Sequence, residues 1–176
     1  MQSIQTVSEN TIYVGASDRR LAKFENLFPI PRGVSYNAYV ILDEKTALLD
    51  TADASVGAQF LENVAAALDG RKLDYLIVDH MEPDHAAMIE AVLVRWPDLR
   101  LVVNAKTLPM LKMYFPTDSA AIDDALVVKE GDTLDLGKHK LTFVMAPMVH
   151  WPEVMMTFDT TTCLLYTSPS PRDRSV

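Results

Sequence analysis

Leu76-Ile77-Val78-Asp79-His80-Met81-Glu82-Pro83-Asp84-His85 is the stretch on which the reading of the fold turns. Leu76-Ile77-Val78 is a short, wholly apolar run, as expected of a strand covered on both faces. Four metal-competent side chains, His80, Glu82, Asp84 and His85, fall within six residues directly after it. Strand ends that open into loops are where α/β folds place their sites. Residues 80, 82 and 84 are two apart, so an extended loop projects all three to one side, and His85 follows at the start of a helix. The plainer reading is a solvated acidic turn with Asp84 capping that helix. Two histidines and two carboxylates packed this closely between apolar runs favour metal ligation.

Imidazole nitrogen and carboxylate oxygen without thiolate suit iron, manganese or zinc, and the residues alone leave that choice open. Cys163 is the only thiol, so an internal disulfide and a cysteine-based zinc knuckle are both excluded. A further candidate ligand is His150, in Ala146-Pro-Met-Val-His150-Trp-Pro-Glu153, a loop between predicted strands Leu141–Met145 and Val154–Phe158. His139, in Gly137-Lys-His-Lys140, is expected to be solvated in a lysine-flanked hairpin turn. Trp151 fits either the core or the flank of the site.

Outward from this stretch, strands and helices alternate. Thr11–Gly15, Val34–Leu42 and Thr46–Asp50 read as strands, the last two forming a hairpin through Asp43-Glu44-Lys45. Ser55 is placed to cap a helix to about Leu68, with Phe60, Val64 and Leu68 at helical spacing and Gly70 past its end. Ala86–Trp96 reads as a helix with Ile89, Val92, Leu93 and Trp96 inward, followed by a strand at Leu101–Val103 and a helix at Thr107–Tyr114. From Leu126 the period becomes two, giving strands at 126–129, 133–136, 141–145 and 154–158. The pattern predicts a layered α/β fold rather than a purely parallel doubly wound sheet.

Composition bounds the partners. Sixteen Lys and Arg against 24 Asp and Glu give a net charge of −8, with no basic stripe, which argues against nucleic acid and anionic membranes. Met1–Asn10 lacks a basic segment leading into an apolar core, and no apolar run reaches membrane-spanning length, so the cytoplasm is the expected compartment. Residues 163–176 end in a Pro/Ser/Arg string that reads as a disordered tail, resembling translated adapter sequence joined to an incomplete gene fragment; a natural flexible tail is the alternative. The domain is therefore expected to span residues 1–162.

His80-x-Glu82-x-Asp84-His85 with a later His150 resembles the flavodiiron proteins, or A-type flavoproteins, of the metallo-β-lactamase superfamily. Hydrolases of that superfamily carry His where this chain has Glu82. Leu27-Phe-Pro-Ile-Pro-Arg-Gly-Val-Ser-Tyr-Asn-Ala-Tyr39, Lys45-Thr-Ala-Leu-Leu-Asp-Thr51 and His150-Trp-Pro-Glu153 agree, so the resemblance covers roughly residues 10–162. It implies an αββα sandwich, here incomplete at its C-terminal end. It also implies that His80, Glu82 and His150 hold one iron and Asp84 the other, while His85 belongs to the motif with ligation that varies within the family. Family members reduce nitric oxide to nitrous oxide or dioxygen to water, with electrons from FMN in a flavodoxin domain, fed by a rubredoxin-like or other donor, in a head-to-tail homodimer.

The family pattern continues after Phe158-Asp-Thr-Thr-Thr162 with a bridging Asp and, much later, a further His. Here the tail carries only Asp173, and no flavodoxin domain follows. The chain is therefore expected to lack two ligands, part of the second sheet and its electron source, and not to turn over. Its incomplete sheets are expected to expose Val102, Val103, Leu141 and Phe143. Two other readings compete: a zinc hydrolase of the same fold, against which Glu82 argues, and a non-catalytic fragment.

Overall fold

The computed structural model describes residues 3–24 and 26–166. Strands β1 (Gln5–Ser8), β2 (Thr11–Tyr13), β3 (Ala16–Asp18), β4 (Lys23–Phe24), β5 (Phe28–Pro29), β6 (Val34–Tyr36), β7 (Tyr39–Leu42) and β8 (Thr46–Leu49) come first. Helix α1 (Gly57–Leu68), β9 (Tyr75–Ile77), α2 (Pro83–Ala86), α3 (Ile89–Arg95), β10 (Arg100–Asn104), α4 (Thr107–Tyr114) and α5 (Ser119–Asp123) then alternate. Strands β11 (Leu126–Val128), β12 (Thr133–Asp135), β13 (Lys140–Met145), β14 (Met155–Asp159) and β15 (Leu164–Tyr166) follow.

Seven strands form one sheet in the order β1-β2-β7-β8-β9-β10-β11, and β12-β13-β14-β15 form a second. The first sheet is antiparallel through β8 and parallel from β8 to β11. Its central strands are buried on both faces, which explains their unbroken apolar runs. Alternate residues sort into two cores: Val40, Leu48, Leu76 and Leu101 pack with α1, α3, α4 and α5. Ile41, Leu49, Ile77 and Val102 pack instead against Leu141, Phe143 and Met155 of the second sheet. Helices, seven-strand sheet and four-strand sheet are thus three successive layers among the described residues.

Several expectations need correction. Val34–Leu42 is two strands in different sheets, β6 pairing with β3 and β7 with β2 and β8. Ser55 does not cap α1: Asp53 caps the 3-10 turn 54–56 before it, accepting Ser55 N–H at 2.8 Å, and α1 itself starts after Val56 without a side-chain cap bond. The predicted helix 86–96 is broken between α2 and α3. The His85 carbonyl, which a continuous helix would use, accepts Thr51 N–H at 2.9 Å and Thr51 Oγ1–H at 2.5 Å instead. The residues 126–129 lie as β11 at the edge of the first sheet, not with the later strands.

The fold also continues past Thr162, because β15 pairs with β14 and buries Tyr166 in the inter-sheet core. The remainder of the predicted tail, 167–176, lies outside the described residues. Val102, Val103, Leu141 and Phe143 are fully buried rather than exposed. The apolar residues that face outward are their neighbours in register, Val144, Met156, Phe158 and Leu165, because parity decides the face of a strand. No helix among the described residues is long and apolar enough to cross a membrane.

Candidate metal centre

The parallel strands β8, β9 and β10 point their C-terminal ends at one edge, where a polar residue follows each apolar run: Asp50, Asp79 and Asn104. The loop after β9 then carries His80 and Glu82 before Pro83 opens α2. All of these but Asn104 and Asp50 were either in the quoted stretch or beside it. The sandwich adds the other side of the site, because the β13–β14 loop folds over this edge. Met155 N–H donates to the Asp79 carbonyl at 3.0 Å, fastening the loop's far end.

His150 reaches the site from a tight turn. Met148 N–H donates to the Trp151 carbonyl at 2.9 Å, and Met148 and His150 both take left-handed backbone angles, φ 66° and 48°. Such angles are uncommon for residues with a Cβ, so the turn holds His150 against a local backbone cost. His150 Nε2 lies 2.7 Å from Glu82 Oε2 and 3.1 Å from His80 Nε2, and His80 Nε2 lies 3.1 Å from the same Glu82 oxygen. One ligand atom from each of the three can be chosen so that all lie within 4.8 Å of one another. Trp151 is partly buried against the helical core and stands edge-on to His80, with centroids 5.4 Å apart.

Asp84 and His85 sit beside this trio rather than in it. His85 Nδ1 is 3.0 Å from Asp50 Oδ2, and its Nε2 is 3.6 Å from Asp84 Oδ2. Asp50 takes a left-handed angle, φ 55°, and accepts Asp79 N–H at 2.7 Å with its other oxygen. Asp84 Oδ1 is buried with no hydrogen-bond partner among the described residues. Asp84 does not cap α2; Glu82 occupies the cap position without a side-chain cap bond.

Two contacts that sequence reading left out complete the site. Glu153 Oε1 lies 2.8 Å from His80 Nδ1 and accepts Met81 N–H at 3.0 Å. Asp79 accepts Thr157 Oγ1–H at 2.8 Å. Polar residues placed directly after buried strands, and the Glu closing the His150 turn, were the available signals. A cavity of about 210 Å³ lined by Asn104, Lys106, Met145 and Pro152 also touches Glu153.

The electrostatics favour cations. Burial pushes the Asp79 carboxyl well up, and nearby Asp50 adds to this. Burial likewise raises Asp84, against the pull of His85. Burial lowers His80, but hydrogen bonds to Glu153 and Glu82 outweigh it and hold the imidazole up to about 9. Burial lowers His85 too, and Asp50 reverses the sign. Among the described residues no lysine or arginine pairs with Asp50, Asp79, Asp84 or Glu153. Protons are therefore the only positive charges at hand, and a metal ion would take their place.

The donor set fits such an ion. Ligands about 2.1 Å from a shared transition metal stand about 3 Å from each other, close to the spacing of His80, Glu82 and His150. Asp84 Oδ1, a buried oxygen with no hydrogen-bond partner among the described residues, is a further available donor.

Comparison with known proteins finds relatives of the same fold. Over 154 residues the chain is 36% identical to a nitric oxide reductase of Moorella thermoacetica, covering 86% of this chain and 38% of that relative. It is 34% identical over 164 residues to an anaerobic nitric oxide reductase flavorubredoxin of Klebsiella pneumoniae, covering 92% of this chain and 33% of the relative. Among solved structures, rubredoxin oxygen:oxidoreductase from Desulfovibrio gigas superposes with a TM-score of 0.86 at 31% identity, covering 93% of this chain and 40% of that one. A fragment 1–254 of a putative diflavin flavoprotein from Nostoc gives 0.81 at 31% identity, covering 94% of this chain and 65% of the fragment. The chain thus spans about two fifths or less of the full-length relatives it matches. The model of the ODP family beta lactamase matches residues 34–169, which is most of the sequence, and the chain belongs to that family.

Proposed function

We propose that this chain is the metal-holding part of a flavodiiron reductase, which converts nitric oxide to nitrous oxide or dioxygen to water with electrons from FMN. The observation that carries the reading is the meeting of His80 Nε2, His150 Nε2 and a Glu82 oxygen in a buried, carboxylate-rich pocket. In this reading His80, Glu82 and His150 hold one iron, Asp84 offers its unpartnered oxygen to a second, and His85 stands beside it, oriented by Asp50. Two adjacent irons, when bound, supply electrons in pairs to a diatomic substrate.

The residues have separable tasks. Glu82 puts an anionic hard oxygen where a third imidazole would favour zinc, and so biases the pocket to iron. Trp151 and the β13–β14 loop lie against His80, which is fully buried, while His150 stays partly exposed. The longer relatives leave room for the flavin-bearing domain, a rubredoxin-like donor and a head-to-tail dimer, all of which belong to this proposal, as does a cytoplasmic setting.

Metal analysis of the chain after growth in iron-replete medium tests the reading. Iron bound in preference to zinc is expected, with loss of that iron in Glu82→Ala. Stoichiometric zinc with no iron would point instead to a hydrolase of the same fold.

A further inference from the structure

We infer that Glu153 is a positioning residue that fixes the proton of His80 on Nδ1 and so presents the Nε2 lone pair to the metal. The inference rests on the reading of His80 as a ligand, but its chemistry belongs to this chain's own residues.

Imidazole carries one proton in its neutral form, and the partner of one nitrogen decides which nitrogen holds it. His80 Nδ1 lies 2.8 Å from Glu153 Oε1, a carboxylate oxygen, and carboxylate oxygens accept hydrogen bonds. The same oxygen accepts Met81 N–H, so it already stands as an acceptor at this contact. The Nδ1 proton is therefore held, leaving Nε2 bare. Nε2 is the atom that faces Glu82 and His150. Without a metal a proton must sit among those three atoms, and a metal ion would replace it and draw on a lone pair from each.

Glu153 is itself pinned. The oxygen that meets His80 also accepts Met81 N–H at 3.0 Å, and the Glu153 carbonyl accepts Asn104 Nδ2–H at 2.5 Å. Glu153 is only 1% exposed, so water does not compete for that oxygen, and its buried Oε2 has no hydrogen-bond partner among the described residues. A buried carboxylate with an oxygen left over is costly to keep for packing alone. It also comes from the loop that carries His150, so one segment delivers one ligand and orients another. The Pro152 turn between them couples the two tasks. Outer partners of ligating histidines typically account for 10–100-fold in metal affinity.

The test uses the 176-residue chain as wild type, Glu153→Ala and Glu153→Gln. Two-bond nitrogen–proton NMR of the metal-free chain, at a pH where His80 is neutral, reads its tautomer. Cobalt(II) titration reads affinity. Wild type is expected as the Nδ1–H form; Glu153→Ala should shift toward Nε2–H and bind cobalt about 10–100-fold more weakly. Glu153→Gln keeps an accepting oxygen, so it should keep the Nδ1–H tautomer and lose less than about tenfold. An unchanged tautomer in a folded Glu153→Ala chain would overturn the inference, since a purely structural role weakens binding without moving the proton. Should Glu153→Ala not fold, the wild-type spectrum decides: an Nε2–H form of His80 there overturns the inference outright. Wild-type chain that binds no cobalt but shows the Nδ1–H form would count against the metal reading and support this one.

Discussion

His80 and His139 are both buried, and each places Nδ1 2.8 Å from a buried carboxylate, Glu153 in one case and Asp159 in the other. Only their Nε2 atoms differ. His80 Nε2 faces Glu82 and His150, whereas His139 Nε2 is buried with no hydrogen-bond partner among the described residues. A histidine–carboxylate pair is therefore a device for holding an imidazole still, and what it serves depends on where the second nitrogen points. At the ends of β8 and β9 it serves a set of convergent donors. In the β12–β13 turn it joins sheet to sheet: His139 N–H donates to Asp43 beyond β7 at 2.6 Å, and Asp159 ends β14.

The largest expected difference between the two is in metal binding. His80→Ala and Glu82→Ala should each weaken iron binding by at least about 100-fold, because one donor of three is lost. Iron content and equilibrium titration of the purified variants measure this, and near-normal binding in either would remove that residue from the site.

The second contrast is in stability. Removing one partner of a buried pair leaves the other charge uncompensated, so His139→Ala should cost about 3 kcal/mol. Chemical denaturation measures it, and a cost under about 0.5 kcal/mol would mean that His139 is as dispensable as a surface residue.

The third is a pH effect at the same pair. Burial raises the Asp159 carboxyl, but hydrogen bonds from Thr162, His139 and Thr161 bring it below its ordinary value. A lowered folded-state pKa adds stability above the unfolded value of about 3.9 and loses it as pH falls through the folded one. Asp159→Asn should therefore flatten the loss of stability below about pH 4 relative to wild type. Parallel acid-denaturation slopes in the two chains would contradict this.

The smallest effect belongs to Trp151, whose edge lies on His80. Trp151→Phe keeps an aromatic there and should change stability by about 1 kcal/mol or less, read by thermal melting.

The same comparison shows what could be read from sequence. His80, Glu82, Asp84 and His85 were legible because a two-residue period after an apolar run assigns side chains to one side of a loop. His150 was legible only through its company, since 68 residues separate it from Glu82. Glu153 stood in a quoted segment without a role, because its contact with His80 crosses 73 positions that only the sandwich brings together. His139 was misread from its neighbours. Lys138 and Lys140 are more than half exposed, and strand alternation turns the residue between them inward. Val102 and Phe143 are expected on the surface only if the sheets are incomplete, whereas the two sheets already cover each other there. The end of the fold was placed at Thr162 because Leu164–Tyr166 is too short a run to announce a strand before its partner β14 is known.

The most direct test of the account is iron(II) binding by His150→Ala and His139→Ala chains side by side with wild type, with melting curves for all three. His150→Ala is expected to melt like wild type and lose iron binding, while His139→Ala melts early and keeps it below its melting transition. Loss of iron from a folded His139→Ala chain, or full iron in His150→Ala, would contradict it.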